Sequence, residues 1–170
     1  MLPSRPSRFD LVAQAAHDIL VQQSLPSLAI AVAQHGEILW EEGFGWADRE
    51  AMIPATPHSM YSLASISKPI TATALMVLKE RGLVDLRRPI NEYLGDVCIQ
   101  GHAGDPADAT VLRVASHTSG LPLHHHFFYK DEPYPRPPMG ETIRRYGNLV
   151  SAPGERYQDS NLGYGILDHL

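Results

Sequence analysis

Apolar residues fall at Phe9, Val12, Ala16, Ile19 and Leu20, the spacing of one helix face. They predict an amphipathic helix from Phe9 to about Gln23, ended by Pro26. The period then changes: Leu28, Ile30 and Val32 alternate with Ala29, Ala31 and Ala33, as along a strand. His35-Gly36 offers a tight turn, because glycine takes positive φ freely and histidine tolerates it. Ile38 to Phe44 supplies the returning strand of this hairpin. Residues 51–61 read as a proline-containing loop. From Ser65 the helical period returns, with Ile70, Ala74, Val77 and Leu78 on one face and Gly82 as the stop. Pro69 has no N–H and is tolerated only near a helix start, which puts Ser65 to Lys68 at or beside the opening turn. Short helical pieces are predicted at Pro89 to Leu94, Thr110 to Ser116 and Glu141 to Tyr146, and another begins at Asn161. Gly120 to Gly140, with prolines at 122, 133, 135, 137 and 138, is predicted as loop.

Composition narrows the class. Of 170 residues, 44% are hydrophobic and 19% charged, the proportions of a globular domain rather than of a disordered or collagen-like chain. With 14 basic and 19 acidic residues the net charge is -5, and no run of Lys and Arg supplies the basic stripe of a general nucleic-acid binder. A single cysteine, Cys98, excludes an internal disulfide and a Cys-rich metal site. The apolar stretches at 25–33 and 71–78 fall short of the roughly 20 residues of a spanning helix. The first residues hold no continuous apolar region and no clear cleavage site, so the expectation is no secretory signal and a cytoplasmic protein.

Candidate chemistry starts at Ser65-Ile66-Ser67-Lys68. A serine hydroxyl is a poor nucleophile until a nearby base takes its proton. A lysine three residues later in a helix shares its face, and the helix N-terminus favours a neutral amine and developing negative charge. The spacing suits a nucleophile and its base. By itself the spacing arises by chance in a chain of this length, and the plainer reading is a capped helix with a solvated lysine.

The surrounding sequence is more specific. The stretch "YSLASISKPITATALMVLKERGLVDLRRPINEYL" resembles the nucleophile segment of the serine β-lactamase and penicillin-binding-protein superfamily, nearest to its class C β-lactamase-like branch of esterases and D-amino-acid peptidases. "VLRVASHTSGLP" and "APGERYQDSNLGYGIL" resemble two further blocks of that family, in family order, and together the three cover about Leu28 to Leu170. The resemblance implies an α+β fold: an antiparallel sheet flanked by helices, with a mostly helical subdomain. The expected domain runs over 9–170, with the helix and hairpin in 9–60 and the nucleophile helix and helical subdomain in 61–170.

It also implies roles. Ser65 would be the nucleophile that forms an acyl-enzyme with a small ester, amide or β-lactam substrate. Lys68 would be the base or relay that activates it. Asn161, with Ser160 beside it, would bind the substrate, and the Ser65 N–H would form half of an oxyanion hole. No metal or organic cofactor is implied. Two departures from the family pattern shape the expectations. The second motif usually begins with tyrosine, and here it is Asp159-Ser160-Asn161. A carboxylate beside an ammonium is charged, weakly basic and holds its partner protonated, so acylation is expected to be impaired. The family's third motif, Lys-Thr-Gly or His-x-Gly on a later strand, is absent from a suitable position. The chain therefore reads as the front part of a family domain without the C-terminal strands, expected to turn over poorly by itself. The alternative is a non-catalytic remnant that binds acyl or peptide ligands.

Other features have structural readings. His124-His125-His126, with His117 and His102 in the same region, is expected to be a solvated tract rather than a metal site, since consecutive residues cannot all point into one centre. Trp40 and Trp46 are assigned to the core or rim of the hairpin. Arg87-Arg88 and Arg144-Arg145 are assigned to solvated surfaces, and Asp85 to a structural role after the nucleophile helix.

Overall fold

The chain is seen in a computed structural model that describes residues 8–124, 128–129 and 131–170. It is an α+β fold that divides into two units, the first ending at Ser62 and the second spanning Leu63–Leu170.

In the first unit, α1 (Asp10–Gln22) buries Ala16 and Leu20. The buried stripe runs through Phe9, Ala13, Ala16 and Leu20, while Val12 and Ile19, expected on the same face, are exposed. β1 (Ser27–Gln34) and β2 (Glu37–Asp48) form the antiparallel hairpin, with Gln34 opposite Glu37 and Ser27 opposite Gly45. His35 and Gly36 both take left-handed φ, 53° and 84°, as the hairpin turn requires. β2 runs four residues past the Phe44 expected as its end, because β3 (Ile53–Pro54) pairs with it through Trp46 and Asp48. The 51–61 stretch is thus not all loop. Pro54 donates no amide and sits at the sheet edge, where none is needed, and the following Ala55 N–H bonds Gly45 O at 2.9 Å. Trp40 stacks on Phe9 at 5.4 Å between ring centroids, and Trp46 lies on the rim, 41% exposed.

The second unit opens with a 3-10 turn at Ala64–Ile66 that leads into α2 (Ser67–Glu80). Pro69 falls in the first turn of α2, and Gly82 at φ 72° ends it. A 3-10 turn at Ile90–Glu92 precedes another at Pro106–Asp108. Next come α3 (Val111–Ala115), α4 (Met139–Tyr146) and α5 (Asn161–His169). Two helix starts carry side-chain caps: Thr110 accepts from the Arg113 N–H, and Ser160 from the Gly163 N–H. α4 starts two residues before Glu141, at Met139, so the preceding loop ends at Pro138.

The core of this unit is formed by Ile90, Val111, Val114, Ile143, Leu149, Leu162 and Ile166, all fully buried, together with Leu75 of α2. The α2 face that packs is Lys68, Thr71, Ala72, Leu75 and Leu78. Of the face expected from periodicity only Leu78 belongs to it; Ile70 and Val77 are 61% and 40% exposed. α2 carries two apolar stripes side by side, and which one meets a neighbour is decided by the neighbour. The arginine pairs lie on the surface, where Arg88 pairs with Glu92, Arg144 with Asp96 and Arg145 with Glu141. Asp85 accepts from the Arg87 N–H just after α2. No helix among the described residues is long and apolar enough to cross a membrane.

Candidate active site

Lys68 begins the packed face of α2, so its long side chain runs along the surface of the helical unit instead of into solvent. Its side chain is only 14% exposed. Nζ donates to both oxygens of Asp159, at 2.9 Å to Oδ1 and 3.1 Å to Oδ2, a pair of charge-assisted bonds closed across 91 positions of sequence. The Tyr164 ring lies 5.8 Å from Nζ, within cation–π range, and the Tyr164 hydroxyl donates to Ala115 O at 2.9 Å. Burial pushes the Tyr164 phenol above its usual range. The hydrogen bond from Lys68 holds the Asp159 carboxyl below the usual carboxylate range, with the Lys68 charge adding to the effect.

Ser65 sits in the 3-10 turn one helical turn before Lys68 and is exposed. Ala64, immediately before it, is left-handed at φ 45°, a conformation that costs a residue with a Cβ about 1–3 kcal/mol and collects at functional sites. His117, the residue that opens the turn after α3, is left-handed as well, at φ 61°. Its ring is close-packed, with Tyr164 at 5.0 Å and Tyr157 at 5.6 Å between centroids. Nε2 lies 3.2 Å from Asp159 Oδ1, and Nδ1 accepts from the Ser160 N–H at 3.0 Å. Lys68, Asp159 and His117 thus meet where α2 and α5 start and where the turn follows α3, and Ser65 lies one helical turn ahead of Lys68 along the chain.

The Beta-lactamase family model matches residues 10–170 of this chain. The chain belongs to the beta-lactamase family. Among curated relatives, this family member is similar to the mitochondrial serine beta-lactamase-like protein LACTB of Homo sapiens, 33% identical over 105 residues that make up 62% of the chain and 19% of the relative. It is similar to esterase EstB of Burkholderia gladioli, 36% identical over 118 residues, 69% of the chain and 29% of the relative. Among solved structures it is similar to the octameric penicillin-binding protein homologue from Pyrococcus abyssi, with a TM-score of 0.79, 25% identity and coverage of 96% of this chain and 38% of that one. The chain therefore spans well under half the length of each of these proteins.

Within this beta-lactamase-family chain the two remaining candidate residues have different surroundings. Ser160 is 1% exposed. Its hydroxyl donates to Pro122 O at 2.7 Å and accepts from the Gly163 N–H at 2.9 Å, so the group assigned to substrate is used up in capping α5. Asn161 is exposed, its N–H donating to Leu123 O at 2.9 Å and its side-chain amide 3.1 Å from His124 Nδ1. His125 and His126 lie outside the described residues, among which no group of His, Cys, Asp and Glu is arranged to hold a metal ion.

His117, read with the histidine tract as solvated, has a side chain only 13% exposed and joins the site, and Tyr164 is a site residue that sequence reasoning did not single out. His117 stands in the quoted "HTSGLP" turn, but its ring partner is 43 positions further on, and no local periodicity connects the two. Burial, foremost, holds the His117 imidazole below its ordinary value of 6.5, with the Lys68 charge acting in the same direction and the Asp159 charge opposing both. The consequence for stability has a definite sign. As pH falls below about 6.5, unfolded chains bind a proton at this ring that the folded chain refuses, so stability declines. The Asp159 pair contributes stability above its ordinary 3.8 and loses it only as pH falls through the lower folded value. Thermal unfolding between pH 7.5 and 4.5 is expected to show a steeper acid-side loss for the wild type than for His117→Asn. Equal slopes would show that this ring titrates alike in both states.

Proposed function

We propose that this chain carries the acylating half of a serine hydrolase site, in which Ser65 attacks the carbonyl of a small ester, amide or β-lactam and Lys68 handles the proton. The observation that carries the reading is the amine of Lys68, held part-buried at the start of α2 by two hydrogen bonds, one turn after an exposed serine that follows a left-handed residue. The relatives point to the same chemistry by name: one is an esterase and another a beta-lactamase. In the proposed step the Ser65 oxygen bonds to the acyl carbon, its proton passes to the neutral form of the Lys68 amine and on to the leaving group, and the bond from acyl carbon to leaving group breaks as the acyl-Ser65 ester forms. Asn161 contacts the substrate at the mouth of the site. The deciding experiment is incubation with a fluorescent phosphonate followed by mass spectrometry of the peptides. An adduct on the peptide containing Ser65, and on that serine, supports the reading; a folded chain that takes up no probe overturns it.

The Lys68–Asp159 pair favours a second reading, a binding protein without efficient turnover. An ammonium that donates to a carboxylate has no lone pair and must give up a proton before it can accept one from Ser65. The two readings differ on Asp159→Tyr, which replaces the charge with a phenol beside Lys68. If the site is an acylating one slowed by its carboxylate, the variant is expected to label about tenfold faster or more at neutral pH, within the range contributed by a placed acid–base group. An unchanged or lower rate would count against a braking role for Asp159.

A further inference from the structure

Three successive residues ahead of and opening α5 are tied to one side chain and its own backbone. The Gln158 N–H donates to His117 O at 2.8 Å, the Asp159 Oδ1 lies 3.2 Å from His117 Nε2, and the Ser160 N–H donates to His117 Nδ1 at 3.0 Å. A backbone amide is always a donor, so Nδ1 must keep its lone pair. The one proton of the neutral ring then sits on Nε2, the nitrogen 3.2 Å from Asp159 Oδ1. The left-handed backbone at His117 aims its carbonyl and its ring at the same short segment. The backbone is thereby held on both sides of Asp159, whose two oxygens accept from Lys68.

We propose that His117 is a positioning residue of this site, a neutral Nε2–H imidazole that clamps residues 158–160 and sets the Asp159 carboxylate against Lys68. This rests on the acyl-transfer reading for its functional consequence, but not for its structural content. The groups facing the ring are Asp159 and Tyr157 from the segment before α5, Tyr164 from α5 and Lys68 from α2. A second proton on the ring would put a donor at Nδ1 against the Ser160 N–H. Doubly protonated His117 therefore releases the clamp, and the Asp159 carboxylate is held against Lys68 only while this ring is neutral.

Two measurements on the 170-residue chain test it. The first uses ring-nitrogen NMR across pH, with the His117 signals identified by their loss in His117→Asn. A bare Nδ1 and a protonated Nε2, persisting below the pH at which an ordinary imidazole titrates, are expected. An Nδ1–H tautomer, or titration at the ordinary value, overturns the proposal. The second is phosphonate labelling of Ser65 in His117→Asn. Asparagine tolerates a left-handed backbone and offers an oxygen near the Nδ1 position, so the fold is retained, while nothing replaces Nε2–H. Because the clamp holds the braking carboxylate of Asp159 against Lys68, its loss is expected to raise the maximal labelling rate at least threefold, with the half-saturating probe concentration unchanged within twofold and the circular dichroism spectrum intact. Wild-type labelling in that folded variant refutes the positioning role. Absence of labelling in the wild type itself would sink the acyl-transfer reading and with it the functional half of this proposal, while the NMR result still decides the clamp.

Discussion

Ser65→Ala is expected to leave no labelled protein after phosphonate treatment, and Lys68→Met to slow labelling of Ser65 at least a hundredfold. The chain contains other exposed serines, so the first result depends on what distinguishes Ser65 from them. That is its place one turn before a part-buried amine, since an unassisted hydroxyl reacts slowly with such probes. A positioned acid–base group contributes roughly 10²–10⁴ in rate, which sets the scale for Lys68. Methionine keeps most of the lysine stem against the Leu75 face of α2 and removes only the charge. Asp159 loses its partner but is 42% exposed, so water can solvate the freed carboxylate and the fold should survive. A Lys68→Met chain that labels at the wild-type rate would remove Lys68 from the chemistry. It would leave the Lys68–Asp159 pair as a structural tie between α2 and the start of α5.

Gly120→Ala is expected to destabilise the chain by about 3 kcal/mol or more, measured by urea unfolding. Two costs add. Gly120 is left-handed at φ 83°, where a residue with a Cβ is strained by about 1–3 kcal/mol. The added Cβ would also lie 2.1 Å from the Ser151 carbonyl oxygen, and relieving such overpacking costs typically about 1–3 kcal/mol. Neither side can yield easily. The Val150 N–H bonds Gly120 O at 2.8 Å and the Gly154 N–H bonds Thr118 O at 2.7 Å, and the adjoining Leu121 is 1% exposed in the core. Against a total of about 5–15 kcal/mol for a typical domain, this is a large share. The effect reaches the site, because the same turn supplies the His117 ring and Pro122 O to Ser160 and Leu123 O to Asn161. Ser65 labelling should fall together with stability. A loss under about 1 kcal/mol would show that the 118–121 turn and the 150–152 segment separate without cost.

The two variants test different levels of the molecule. Lys68→Met asks whether a charge is used, and Gly120→Ala asks whether the scaffold that presents the α5 start can give way. His117 belongs to both, because it sits on the scaffold turn and touches the charged pair.

Local chemistry made much of this protein readable in advance. The His35-Gly36 turn, the strand alternation before it, the start of α2 set by Pro69 and its end at Gly82 all follow from conformational preferences of a few adjacent residues, and the structure has them where those preferences put them. The family blocks around Ser65, His117 and Asn161 are likewise local strings, and they lead to the family that the chain belongs to. What a helix or a loop does next depends on partners far along the chain. The buried stripe of α2 is the one through Leu75 and not the one through Ile70 and Val77, because both are apolar and only contact with the rest of the helical unit chooses between them. Residues 51–61 contain a strand because β2 lies beside Ile53 and Pro54. Ser160 is a cap and Asn161 is open because α5 starts between them and the 117–123 turn. The pairing of Lys68 with Asp159 across 91 positions, and the His117 ring that reaches both Asp159 and Ser160, come from closing long loops around a common core. Spacing along a chain determines which residues can share a turn; only packing determines which turns share a site.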